Sequence, residues 1–100
     1  MSVYLLAAIE IHDREAYAAY SQRARQALAP FKIRTLSLES SPTVYEGTQP
    51  ANFMMLIEFE SQQALEEFYA SDAYAIARPM RHAASTTKFI MAMKPFEPTA

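Results

Sequence analysis

The chain has no cysteine, so it can form no disulfide, offers no thiolate nucleophile and holds no cysteine metal cluster, a usage that fits a reducing cytosol. A cytoplasmic setting is the expectation. One glycine in 100 residues, at position 47, excludes the glycine-rich loops that cradle phosphate, and no nucleophile elbow for Ser-His-Asp catalysis is present. An excess of one charge is lacking too: nine basic and eleven acidic residues leave a formal net charge of -2, without the electrostatic footprint that nucleic acid or anionic lipid demands. Neither nucleic acid nor membrane is therefore an expected partner. No uncharged run reaches the roughly eighteen residues of a membrane span. The apolar stretch from Met1 to Ile9 has no Lys or Arg before it and meets Glu10 at once, which argues against a signal peptide. What the chain does have is 51% hydrophobic residues against 20% charged ones, too apolar a mix for disorder. One domain over residues 1–95 is expected, followed by a loose tail over 96–100, with no internal repeat.

From Val3 to His12 the residues alternate, with Val3, Leu5, Ala7, Ile9 and Ile11 on one face and Tyr4, Leu6, Ala8, Glu10 and His12 on the other, which predicts a strand. Asp13 can accept from the free amides of a first helical turn, and the Ala-, Arg- and Gln-rich segment to Ala29 carries a stripe of Tyr17, Tyr20, Ala24, Ala27 and Leu28. Pro30 ends that helix. Phe31 to Glu39 reads as a weaker edge strand that Thr43 to Glu46 prolongs, before Gly47 supplies a positive-φ turn. Phe53, Met55, Ile57 and Phe59 alternate with Met54, Leu56 and Glu58 in a second strong strand. Ser61 caps a second helix with the stripe Leu65, Phe68 and Tyr69, and Ser71 or Asp72 restarts a turn bearing Tyr74 and Ile76. Pro79 is expected to kink or split this region. The last strand spans Thr86 to Lys94, with Phe89, Met91 and Met93 opposite Ile90 and Ala92.

Strand, helix, strand, strand, helix, strand is the βαββαβ order, an α+β, ferredoxin-like, four-stranded antiparallel sheet with two helices on one face. The two strong strands are expected as central neighbours running parallel. The opposite face then carries Tyr4, Leu6, Ala8, Met54, Leu56 and Ile90, too large an apolar patch to leave to water. A second copy covers it most simply, so a homodimer is expected, with a contact of roughly 800 Å² per partner.

Several short motifs occur in a telling order: Asp13 with Tyr17 and Tyr20, then Tyr45-Glu46-Gly47, then Ile57-Glu58-Phe59-Glu60-Ser61, and Phe68-Tyr69-Ala70-Ser71 leading to Tyr74 and Arg81. From Val3 to about Met93 the chain resembles the domain-of-unknown-function family numbered 1330, within the dimeric α/β-barrel superfamily. It departs from similar chains at Phe31-Lys32-Ile33-Arg34, where they often carry a Gly-Gly step, and at Met93-Lys94-Pro95, where they often end on Val-Glu-Gly. The resemblance implies the barrel dimer and no particular reaction. Superfamily members include cofactor-free monooxygenases and isomerases, as well as proteins with no known activity.

Candidate chemistry rests on few residues. Glu10 and Glu58 lie near the carboxyl ends of the two strong strands, on the face away from the helices, and as close neighbours would share a proton and act as acid or base. Solvation at wet strand ends is the plainer reading of both. His12, two residues beyond Glu10, suits proton transfer, or a surface position beside the Asp13 cap. No metal is expected, since no motif fixes a set from Glu10, His12 and Glu58. Arg81 matches the family's arginine after the second helix and is the candidate to pair with Glu58 or to hold a ligand carboxylate, with a structural ion pair as the alternative. Tyr69 and Tyr74 are candidate cleft walls, with helical packing an equal explanation of both, Tyr17 and Tyr20 are read as core, and Arg78 and His82 as bystanders. The expected function is binding of a small, partly hydrophobic molecule, acidic ones included, with proton transfer or cofactor-free oxidation by Glu58, Glu10 and His12. No cofactor is expected. The rival is a non-catalytic dimerisation or protein-interaction module, and the sequence does not decide between them.

Overall fold

The computed structural model describes residues 1–98, so residues 99 and 100 of the expected tail lie outside it. The elements run β1 (Val3–Ile11), α1 (Arg14–Leu28), β2 (Ile33–Glu39), β3 (Phe53–Phe59), α2 (Gln62–Tyr69), α3 (Asp72–Ala84) and β4 (Ser85–Met93). Each helix starts where a side chain satisfies its free amides: Asp13 accepts from the Ala16 amide, Ser61 from Ala64 and Ser71 from Tyr74. The second helical stretch breaks at Ala70 and Ser71 rather than at Pro79, through which α3 runs with the loss of one amide donor. Thr43 to Glu46 is not a continuation of β2 but irregular chain, and Gly47 takes the positive φ of 89° that the turn requires.

The sheet has the order β2-β3-β1-β4 and is antiparallel at every pairing. The central strands β1 and β3 therefore run antiparallel, which corrects the parallel expectation. A helical crossover brings β2 back parallel to β1, and the β2–β3 connection then reverses the chain once more. Val3 faces Phe59 and Ile9 faces Phe53 along that central pair.

The helices cover one face only. Val3, Ile9 and Phe59 are fully buried there beneath Tyr17, Tyr20, Phe68 and Tyr74, and burying one such side chain contributes about 1.5–3 kcal/mol. Ile90 belongs to this covered face, packed against the core, and not to the open one. In its place the open face carries Phe89, Met91 and Met93, which stand beside Ala8, Leu6 and Tyr4. Lys88 is the extra residue of a bulge between the Ala8 and Ile9 pairings, which keeps the alternation in phase with the core on both sides of it. With Met54 and Leu56 of β3 these side chains form an apolar sheet face that no helix shelters. Among the described residues no helix is long and apolar enough to cross a membrane.

Candidate functional site

Between the covered sheet face and the helices lies a cavity of about 180 Å³. Its floor is Leu5, Ala7, Met55 and Ile57 from the central strands, and its walls include Ala24 and Leu28 of α1 and Phe68 of α2. It reaches solvent where the exposed residues Arg25 and Leu38 line it. Tyr20, Tyr74 and Arg81 are among the polar residues that line it. A second, more open depression of about 250 Å³ near Arg14, Ser40 and Asn52 contains no buried charge.

Arg81 sits in the last turn of α3 and is 3% exposed. The helix brings it onto the same face as Tyr74, seven residues and two turns earlier, and its Nη1 donates to the Tyr74 hydroxyl. That hydroxyl also stands 2.7 Å from the Tyr20 hydroxyl of α1. Nη2 of Arg81 lies 3.1 Å from Nε2 of His82; because a guanidinium only donates, the histidine nitrogen is the acceptor of that contact. Nε of Arg81 is buried without a partner. Burial works against the Arg81 charge, but the oxygens of Tyr74 and Tyr20 outweigh it and keep the group firmly protonated. Burial raises the Tyr74 and Tyr20 hydroxyls above the usual tyrosine value and lifts Tyr17 to about 12, so these groups keep their protons at neutral pH and can donate hydrogen bonds.

Of the residues singled out from the sequence, Arg81, Tyr74 and Tyr69 come together at this cavity. The Tyr69 ring packs 5.5 Å from that of Tyr74 and carries the Arg78 guanidinium 4.5 Å above it. Glu10, His12 and Glu58 do not join them. Glu58 faces Tyr4 and Glu10 lies six residues further along β1, so at the strand rise the two carboxylates are about 20 Å apart. The antiparallel pairing is the reason: the carboxyl ends of β1 and β3 point to opposite edges of the sheet. Glu58 instead pairs with Arg34 at 3.0 Å on the open face, which also separates it from Arg81. Glu10 accepts from the Asn52 amide at 3.0 Å and so anchors the start of β3. His12 meets the Thr86 hydroxyl at 2.6 Å in an exposed position. Among the described residues no group of three acidic, His or Cys side chains could hold a metal ion. Tyr20, read from the sequence as core alone, is both core and cavity lining. The available signal was its hydroxyl, since a buried stripe of pure packing has no need of tyrosine over phenylalanine.

Layer order, strand order and helix placement define a ferredoxin-like α+β protein. The chain belongs to the family described as Domain of unknown function (DUF1330), whose model matches residues 2–94. A protein of unknown function from Rhodopseudomonas palustris shares the fold with a TM-score of 0.78 at 18% identity, over 97% of this chain and 84% of its own. A dimeric ferredoxin-like protein of unknown function from Jannaschia sp. CCS1 matches with a TM-score of 0.68 at 14% identity, over 95% of this chain and 100% of its own. SnoaB, a cofactor-independent oxygenase from Streptomyces nogalater, matches with a TM-score of 0.66 at 12% identity, over 97% of this chain and 95% of its own. At such identities the likeness is one of fold. No curated protein matches the chain.

Proposed function

We propose that this protein binds a small, partly hydrophobic molecule in the cavity between its helices and sheet, and that it works in the cytoplasm as a homodimer joined through the open sheet faces. The observation that carries the reading is a preformed space of about 180 Å³, walled by apolar side chains, on which Arg81, Tyr20 and Tyr74 converge. A concave apolar space with a few converging polar groups is the usual make-up of a ligand site. An engineered apolar cavity of about 150 Å³ takes up benzene, so the space here suits a molecule built on a single ring. Carboxylate acid-base chemistry gains no support, because none of Glu10, His12 and Glu58 lines the cavity. Binding is therefore the function proposed.

The dimer rests on the open face, where Tyr4, Leu6, Met54, Leu56, Phe89, Met91 and Met93 form one patch. Patches of that extent mark interfaces, and a two-fold contact buries like against like. The dimeric ferredoxin-like neighbour supports the same reading. A module with dimerisation as its whole purpose accounts for this face but leaves the cavity and its buried cation without a reason.

Titration of toluene into the protein, followed by NMR of its methyl groups, tests the cavity. Shifts are expected at Ala7, Met55 and Ile57 and are expected to vanish in Ala24→Leu, which fills the space. Shifts confined to Leu6 and Leu56 on the open face would sink the reading.

A further inference from the structure

We infer that the molecule held in this cavity is a carboxylic acid with a single-ring apolar body, its carboxylate seated on Arg81 beside the Tyr20 and Tyr74 hydroxyls. The inference rests on the binding function proposed above and names the class of ligand. It begins from a cation that has no counter-ion among the described residues. Arg81 is 3% exposed, and neither acceptor it meets, the Tyr74 hydroxyl or His82 Nε2, is an anionic side chain. The ion pair found among the described residues, Arg34 with Glu58, lies on the other face of the sheet. A guanidinium has five donor hydrogens in a fixed fork, and the Nε of this one is buried with no partner. Burying a cation is costly unless an anion offsets it, and the Tyr74 ring, 6.0 Å from the guanidinium carbon, offsets only part.

The lining points the same way. Its charged residues are Arg25 and Arg81, both cations, in a chain whose formal net charge is -2. No acidic side chain is among the lining residues. A carboxylate is planar and matches the guanidinium fork, while Tyr20 and Tyr74, which hold their protons, can turn a hydroxyl hydrogen towards it. Phosphate fits less well, because it brings close to two charges and three strong acceptor oxygens to a wall with one buried cation and mostly apolar atoms. The volume left beyond the carboxylate is that of one ring.

The test sets benzoate against benzamide, which have the same shape and differ in charge, in titrations of the full-length protein at neutral pH. Methyl NMR reports entry into the cavity, and the Arg81 Nε–H resonance reports the seat of the carboxylate. Benzoate is expected to bind at least about tenfold more tightly than benzamide, from a charge-assisted contact in place of a neutral one. It is also expected to shift the Nε–H resonance, which benzamide leaves nearly unmoved. Arg81→Met is expected to lose the preference while still admitting benzamide. Should that variant not fold, Tyr20→Phe removes one hydroxyl donor without touching the guanidinium and is expected to reduce the preference severalfold. Equal binding of the two probes, or a preference for benzamide, overturns the inference and leaves the cavity reading standing. No methyl shift with toluene, benzoate or benzamide overturns both.

Discussion

The hydroxyls of Tyr20 in α1 and Tyr74 in α3 meet at 2.7 Å in the buried layer, a contact between residues 54 positions apart that ties the two helices together. Arg81 donates to the same Tyr74 oxygen, so Tyr74 is the shared centre of the cluster. Loss of either hydroxyl is therefore unequal in effect. Tyr20→Phe leaves Tyr74 bonded to Arg81 and is expected to cost about 1 kcal/mol of stability. Tyr74→Phe deprives Tyr20 of its partner and Arg81 of an acceptor, with an expected cost of about 2–3 kcal/mol. Because the two variants disrupt one network, the double variant should cost little more than Tyr74→Phe alone. Urea unfolding of the three variants measures this, and equal single costs that simply add would contradict the shared centre.

The same burial sets the response to alkali. Tyr17 is lifted to about 12, and Tyr20 and Tyr74 are raised too, with burial the leading cause for each. In the unfolded chain these phenols return to about 10. Above that pH the unfolded state binds fewer protons than the native state, so stability falls as pH rises. The tyrosine contribution is fully present below about pH 10 and is lost as pH climbs to and through about 12. Urea midpoints taken from pH 8 to 12 should show this decline, and Tyr17→Phe should make it shallower. A midpoint that does not move across that range would contradict the burial argument.

How far the sequence alone reached follows from what it can encode locally. Alternation in Val3 to Ile11 and in Phe53 to Phe59 identified both central strands, and the capping residues Asp13 and Ser61 marked two helix starts, while Ser71 or Asp72 marked only a restarted turn where α3 begins. These are short-range properties. The direction of β3 relative to β1 is not one, since it depends on counting reversals through the crossover and the β2–β3 connection, and with it went the expected meeting of Glu10 and Glu58. The Lys88 bulge was hidden for a related reason, because an extra residue is visible only against the partner strand. Arg81 stood out through the family resemblance, and Tyr74 as a ring with a polar tip beside the Ser71-Asp72 break. Tyr20 did not, because its partner lies 54 residues away.

Glu58 gives a direct check on the separation of the two faces. Its carboxylate pairs with Arg34, whose side chain is 73% exposed, so the pair contributes little to stability. Glu58→Gln is expected to change unfolding free energy by less than about 0.5 kcal/mol and to leave toluene and benzoate binding unchanged. A loss of binding in this variant, read by the same methyl shifts, would restore Glu58 to the site.

Leu6 lies at the middle of the open face, opposite Leu56 on one side and Met91 on the other. If two such faces meet about a two-fold axis, Leu6 falls near the centre of the contact, where side chains are fully desolvated and single residues matter most. A lysine placed there would bury an ammonium with no anion beside it, since the acidic groups of this face lie away from its centre, Glu58 and Glu10 at its two ends and Glu39 on the edge strand β2. Leu6→Lys is therefore expected to convert the dimer to a monomer at micromolar concentration. Met93→Lys, at the rim beside Tyr4, should weaken association only partly because its ammonium can reach water. Sedimentation velocity distinguishes the species directly. The covered face lies on the other side of β1, so monomeric Leu6→Lys should still take up toluene. A wild-type chain that sediments as a monomer would remove the dimer.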